Sequence, residues 1–141
     1  MILRRLAAVL LGLVIAVAIV QLAEVGVHQM YPPPPGLSMK DMNAIKAYVE
    51  SMPMPPMLLV LAGWLIGTLL GTWAAAKVGR SAIPAYVVGA LLLCAGIANS
   101  FIIPQPLWFS IASFAIYIGA TVIAARLASL PPTAALAPPP A

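Results

Sequence analysis

Four long stretches without a charged side chain dominate this chain of 141 residues. They cover residues 6–23, 57–76, 83–103 and 107–125. A helix needs about 20 consecutive apolar residues to cross the hydrocarbon core of a bilayer, and each stretch is close to that length. Backbone amides in lipid must be paired within the segment, which favours helices over irregular structure. The sequence therefore predicts an all-α membrane protein with four transmembrane helices.

The composition excludes an ordinary soluble domain. Only 7% of the residues are charged and 63% are hydrophobic, whereas a soluble domain carries about 25% charged residues. The net charge of +4 comes from basic residues at the ends of the apolar stretches, a pattern that orients membrane helices. The single cysteine, Cys94, can form no intramolecular disulfide. We expect one transmembrane domain over residues 1–127, in contact with the lipid bilayer and with no nucleic-acid partner.

Proline and glycine mark the predicted breaks between helices. The run Pro32–Pro35 ends the first transmembrane helix, because proline lacks the amide hydrogen. The tail, residues 128–141, is rich in proline and alanine and is predicted to be disordered. A signal peptide is the alternative interpretation of the first stretch, since Ala16-Val17-Ala18 resembles a cleavage site. The apolar run continues past that point and favours a retained helix. The predicted transmembrane helices are residues 3–28, 57–76, 83–103 and 107–126.

A short amphipathic helix is predicted in the first loop, over residues 39–52. Ser38 with Asp41 three residues later resembles a capping box, and Pro53 ends the helix. Apolar residues recur at spacings of three and four, so they share one face. Such a helix lies flat on the membrane or caps the bundle. The residues of this face are Met39, Met42, Ile45, Val49 and Met52.

The basic residues predict the orientation in the membrane. With the amino terminus in the cytoplasm, five basic residues lie on that side and two on the other, which obeys the positive-inside rule. Both termini are therefore predicted to be cytoplasmic, and the loop helix periplasmic. The five cytoplasmic residues are Arg4, Arg5, Lys77, Arg80 and Arg126, and the other two are Lys40 and Lys46.

Three polar residues form the candidate site. Glu24 is the only acidic residue within an apolar segment, and His28, the only histidine, follows one turn later on the same face. Asn99 is expected at a similar depth on the third transmembrane helix. A carboxylate at the edge of the hydrocarbon is costly unless it is paired or protonated, so a cluster of these three residues is one hypothesis. The favoured interpretation is a hydrated Glu24 at the membrane interface with a solvated His28 beside it, and the alternatives are a structural clamp and a proton or ligand site.

Gly63, Gly67 and Gly71 recur at intervals of four residues in the second transmembrane helix. Glycines so spaced form a groove that lets another helix approach closely. The groove is expected to be an internal helix contact or a surface for self-association. A second copy of the chain or another membrane protein is therefore the expected protein partner.

Methionines concentrate in and beside the first loop. Thioethers are soft ligands that suit Cu(I), which makes copper binding one hypothesis for this loop. Methionine also fills gaps on apolar faces, and we favour that interpretation and predict no bound metal or cofactor. The methionines concerned are Met39, Met42, Met52, Met54 and Met57.

The sequence lacks the common enzyme signatures. One histidine cannot make an HExxH zinc site, and neither a phosphate loop nor a nucleophile elbow is present. The chain has three acidic residues in total, so few carboxylates are present to form an acid–base pair. We therefore predict a non-enzymatic structural or interaction protein, or an accessory subunit.

A resemblance to known proteins extends along the chain to Arg126. It rests on four segments, AEVGVHQMYPPPPGL, AYVESMP, AGWLIGTLLGTWAAAKV and IANSFIIPQPLWF. Together they resemble a group of small, uncharacterised four-helix membrane proteins of proteobacteria. The resemblance implies a location in the bacterial inner membrane and brings no known activity.

A second, partial resemblance centres on Leu22-Ala23-Glu24-Val25. This tetrapeptide is similar to the context of the glutamate in the first helix of small multidrug resistance transporters. Leu93-Cys94-Ala95-Gly96 is similar to a segment of their last helix, although it falls in the third helix here. The resemblance implies a small proton-coupled transporter in which Glu24 binds protons and substrate.

Reporter fusions test the predicted orientation. Alkaline phosphatase fused after Ile45 should be active and fused after Val78 inactive, because that enzyme needs the disulfides that form in the periplasm. A cytoplasmic assignment of residue 45 would contradict the orientation.

Overall fold

The computed structural model describes residues 1–131, and these form five α-helices. Four of the helices are long and apolar enough to cross a membrane. The predicted all-α membrane fold is confirmed. The helices are α1 (Ile2–Met30), α2 (Met42–Ser51), α3 (Met54–Gly79), α4 (Ala82–Ile102) and α5 (Leu107–Ser129).

The loop helix α2 begins three residues later than predicted, and the assignment of Ser38 as its cap was wrong. Asp41 is the N-cap, and its carboxylate accepts hydrogen bonds from the amides of Asn43 and Ala44, each at 3.1 Å. A carboxylate there also interacts favourably with the helix dipole. Ser38 instead accepts from the amide of Lys40 at 3.3 Å, in the turn before the helix.

Other helix ends differ from the prediction by one to three residues. Helix α3 begins at Met54 because Pro55 and Pro56 lie within its first turn, where a missing amide hydrogen has no helical partner to lose. Helix α5 continues to Ser129, so the first residues of the predicted disordered tail are helical. The rest of that tail, residues 132–141, lies outside the described residues.

Helices α1 and α3 are antiparallel and touch backbone to backbone. A methyl group added at Gly71 would lie 2.5 Å from the carbonyl oxygen of Gly12, and one at Gly67 would lie 2.9 Å from that of Ala16. A methyl group at Gly63 would overlap Cβ of Ala23. The glycine groove of α3 therefore faces α1 within the same chain.

Helix α3 is central to the bundle, because it contacts α1, α4 and α5. Glycines also bring α4 against α5. A methyl group at Gly89 would overlap Thr121, and one at Gly96 would lie 2.5 Å from the ring of Tyr117. By contrast, no Cα atom of α1 lies within 8 Å of a Cα atom of α5. The helices therefore follow the order α1, α3, α5, α4 around the bundle.

One end of the bundle, called here the basic end, gathers basic residues from several helices. A guanidinium nitrogen of Arg4 donates to the carbonyl oxygen of Gly79 at 3.4 Å. The start of α1 therefore lies beside the end of α3. Small residues from α3, α4 and α5 pack together at the same end, namely Ala76, Ala85 and Ala125. Lys77 and Arg126 follow directly in the sequence and so belong to this end.

The opposite end, called here the capped end, is covered by α2. Ile45 is buried, and Val49 and Met52 pack against the core. No Cα atom of α2 lies within 8 Å of a Cα atom of any other described helix. Side chains alone therefore hold α2 over the bundle.

Replacing Gly71 by alanine should destabilise the protein, because the added methyl group meets the backbone of α1. We expect a loss of about 1–3 kcal/mol, as for other overpacked interiors. The matched control is Gly119→Ala, since a methyl group there meets no atom within 4 Å. That control should be neutral or stabilising, because alanine is the better helix former. Thermal unfolding in mild detergent measures both, and equal stability of the two variants would contradict the close α1–α3 contact.

Candidate functional site

A cavity of about 470 Å³ lies at the capped end, between α2 and the transmembrane helices. Its lining is mainly apolar and comes from all five helices and from the proline turn after α1. Polar side chains lie at a few points of the lining, including Glu24, His28, Asn99 and Gln105. The structure therefore brings the three residues of the predicted polar cluster to one cavity.

The carboxylate of Glu24 is half-buried and is held by an indole. Its Oε1 accepts a hydrogen bond from Nε1 of Trp64 at 3.2 Å. Among the described residues, no other side chain or amide donates to this carboxylate. A hydrogen bond to a charged acceptor is stronger than one between neutral groups, so Trp64 orients Glu24 and partly offsets its burial.

His28 does not bind the carboxylate of Glu24. Its Nδ1 lies 2.7 Å from the backbone carbonyl oxygen of Glu24, one turn earlier in the same helix. A carbonyl oxygen can only accept, so Nδ1 carries the hydrogen and donates. The imidazole is exposed, and within residues 1–131 its Nε2 has no hydrogen-bond partner.

Asn99 lies on α4, half-buried in the wall of the same cavity. Hydrogen bonds between its side chain and Glu24 or His28 do not occur in the described part of the chain. The three residues thus share a cavity without binding one another, which differs from the hypothesised pairing. The geometry leaves the amide of Asn99 free to bind a molecule in the cavity.

Aromatic packing holds Trp64 in place. Its ring is stacked on that of Tyr117, with centroids 5.9 Å apart and an interplanar angle of 21°. The rings of Phe109 and Trp64 form a T-shaped pair, with centroids 5.4 Å apart and an interplanar angle of 69°. All three rings are buried, and Gly96 allows α4 to lie directly on Tyr117. The rigid indole therefore fixes the position of the carboxylate it binds.

The sequence interpretation missed Trp64. A signal was present, because this tryptophan lies well inside its helix, whereas tryptophans in membrane proteins usually lie at the interfaces. A buried indole N–H needs an acceptor, and Glu24 is the only carboxylate in a membrane-spanning helix. The pairing required the register between α1 and α3, which apolar patterns do not encode.

A second polar group connects α4 and α5 beside the cavity. Nε2 of Gln105 donates to Oγ of Ser100 at 3.0 Å and to Oγ of Ser110 at 2.9 Å. These bonds brace the short turn between the two helices, where Gln105 and Pro106 line the cavity. This wall of the cavity is therefore firm, in contrast to the side-chain contacts of α2.

The methionines of the copper hypothesis are divided between two environments. Three of them line the cavity, namely Met39, Met52 and Met57, whereas Met42 and Met54 are exposed and do not line it. In residues 1–131, no group of three or more His, Cys, Asp or Glu side chains is arranged to hold a metal ion. The cavity lining therefore includes three of the five thioethers and leaves two outside it.

Replacing Trp64 by phenylalanine should remove the hydrogen bond to Glu24 while keeping an aromatic ring. We expect a loss of about 1.5–3 kcal/mol, the range for hydrogen bonds to charged groups. Trp73→Phe is the matched control, because Trp73 is exposed, and surface changes fall within about 0.5 kcal/mol. Thermal unfolding in detergent gives both values. A double-mutant cycle of Trp64→Phe with Glu24→Ala should show coupling, and strict additivity would contradict the bond.

Comparison with models of protein families, with curated proteins and with solved structures found no significant match.

Proposed function

We propose that this integral membrane protein is a non-enzymatic accessory protein that binds an amphipathic molecule in the cavity at its capped end. The cavity itself is the observation that carries this proposal. Its volume of about 470 Å³ falls within the range of about 300–1,000 Å³ found for small-molecule sites. An apolar lining with a few convergent polar groups is also typical of such sites.

The arrangement of the polar groups favours binding over catalysis. A nucleophilic site places the nucleophile within hydrogen-bond reach of its base. Here Glu24 is bound by an indole, and the Nδ1 atom of His28 is bound by a backbone carbonyl oxygen. Both hydrogen bonds position a side chain. The cavity therefore supports recognition of a molecule more than its conversion.

A small proton-coupled transporter is the second candidate, because the half-buried Glu24 lines the cavity. Transport also needs a path to the basic end. Below the cavity, α1 and α3 meet backbone to backbone at Gly12, Ala16, Gly67 and Gly71, which leaves no path between these two helices. The binding role requires only the conformation described, and the transport role requires a second one. Proton flux into liposomes, lost in Glu24→Gln, would favour the transporter.

The proposed location is the bacterial inner membrane with both termini in the cytoplasm. The clustering of Arg4, Lys77 and Arg126 at one end supports this orientation, since basic residues stay on the cytoplasmic side. The cavity then lies at the periplasmic end of the bundle. Because α1 covers the glycine groove of α3, any association with a second copy or another membrane protein would use a different face.

Fluorescence of Trp64 tests whether an apolar chain enters the cavity. Trp64 lines the cavity and is 6% exposed, so a quencher reaches it through the cavity. In a Trp73→Phe, Trp108→Phe background, Trp64 is the only tryptophan. Dodecyl maltoside brominated on its chain should quench this fluorescence, because heavy atoms quench on contact.

A filling variant and its control make this test specific. Val60→Phe places a ring in the cavity and should reduce quenching, whereas Leu59→Phe adds the same ring at an exposed position of α3 and should not. Absence of quenching, or equal quenching in both variants, would contradict the proposed binding function.

A further inference from the structure

An apolar groove of about 230 Å³ lies on the outside of the bundle between α3 and α5. It is separate from the cavity at the capped end, because the two share no lining residue. Its side chains are all apolar, and Leu70, Trp73 and Leu127 are exposed. In a bilayer, such exposed surfaces of membrane-spanning helices contact acyl chains. The lining residues are Leu69, Leu70, Trp73, Ala124 and Leu127.

Toward the basic end, the groove leads to Lys77. This lysine follows Trp73 by four residues in α3, so it lies on the same face of the helix, one turn closer to that end. It is exposed and is the first charged residue after the apolar stretch 57–76. Leu69 precedes Lys77 by eight residues, about 12 Å along the helix, which is less than half of the hydrocarbon thickness of about 30 Å. The groove therefore lies at the depth of acyl chains, with the ammonium of Lys77 at the level of headgroups.

Helix α5 supplies a second positive charge at the same level. Ala76 of α3 and Ala125 of α5 pack together, and Lys77 and Arg126 follow them directly in the sequence. Arg126 is exposed and directly precedes Leu127, which lines the groove. Long basic side chains keep their charged heads in water while their stems cover apolar surface. Each of the two helices that form the groove therefore presents one cation to the headgroup region.

No carboxylate side chain of the protein lies near these cations. The chain has three acidic residues, of which Glu24 lines the cavity at the capped end, and Asp41 and Glu50 belong to α2 and its cap. Within the described residues, the single salt bridge joins Lys46 to Glu50, also on α2. The positive charge at the basic end is therefore not compensated by side chains of this chain and attracts anionic headgroups.

From these observations we propose that the groove between α3 and α5 is a binding site for an anionic phospholipid. One acyl chain lies along Leu70 and Trp73, and the negatively charged headgroup binds Lys77, with Arg126 beside it. The polarity of the groove matches that of a lipid in the adjacent leaflet, because its apolar part points to the membrane centre and its cations lie at the interface. A soluble phosphate has the same charge but no chain to occupy the groove. This site does not depend on the proposed function of the cavity.

Lipid retention tests this proposal. The purified protein is exchanged into vesicles that contain equal amounts of phosphatidylglycerol and phosphatidylcholine with identical acyl chains. After extraction in mild detergent, native mass spectrometry counts the retained lipids. The unmodified protein should retain phosphatidylglycerol over phosphatidylcholine by roughly fivefold, the contribution of one basic side chain near an anionic headgroup.

Charge variants assign the preference to the end of the groove. Lys77→Gln should remove most of the preference, and Lys77→Arg should keep it because the charge remains. Arg5→Gln is the matched control, since it removes one positive charge from the same end but on α1, which does not come close to α5. Thermal unfolding of each variant shows that the folded state is retained. An unchanged preference in folded Lys77→Gln, or an equal loss in Arg5→Gln, overturns the proposed site.

A filling variant tests whether the chain lies in the groove. Leu127→Trp enlarges a side chain of the lining and should reduce retention of phosphatidylglycerol. Ile118→Trp places the same ring at an exposed position of α5 outside the groove and should not. Equal retention in the two variants contradicts binding in the groove.

Two further outcomes name other occupants. Displacement of bound phosphatidylglycerol by glycerol phosphate, which has the charge without the chains, overturns the role of the apolar groove. Dimers in the mass spectra that disappear in Leu127→Trp, with no lipid preference in the unmodified protein, assign the groove to a second copy and overturn the lipid site. Quenching of Trp64 reports on the cavity alone, so the proposed function stands or falls separately.

Discussion

Close contact between the backbones of α1 and α3 is the interaction on which the rest of the structure depends. Lipid removes the hydrophobic drive for helix association, so packing and close approach must supply it. The close contacts of Gly12 with Gly71 and of Ala23 with Gly63 set the register of the two antiparallel helices. That register brings Glu24 beside Trp64, forty residues later in the chain. The candidate site is therefore a consequence of the glycine spacing, since Ala23 and Gly63 directly precede Glu24 and Trp64 in the sequence.

The cavity exists because α2 is attached differently from the transmembrane helices. Small residues let those helices approach to backbone contact, whereas α2 meets the bundle only through side chains such as Ile45, Val49 and Met52. The space left beneath it is the cavity. Asp41 caps the start of α2 and Pro53 follows its end, so the helix is locally well defined although its attachment is loose. Such elements belong to the less stable parts of a fold.

The hydrogen-bond partners of Glu24 and His28 differ from those of the hypothesised cluster, in which these residues bind each other. His28 satisfies its Nδ1 within its own helix, which requires no tertiary contact. Glu24 has no such local donor, so its partner had to come from another helix, and Trp64 supplies it. The result is an oriented carboxylate in an apolar cavity with one oxygen available. That arrangement suits recognition of a single positive charge on an otherwise apolar molecule.

The sequence by itself determined the all-α fold, the four membrane-spanning helices and the shared face of Glu24 and His28. These follow from local rules, because lipid demands paired backbone amides, proline ends helices and the helical period places residues on faces. Only the tertiary structure decided which helix fills the glycine groove, that Trp64 binds Glu24, and that α2 encloses a cavity. These features depend on the register and spacing between helices. Apolar side chains of similar size do not determine the register or the spacing, since many registers bury them equally well.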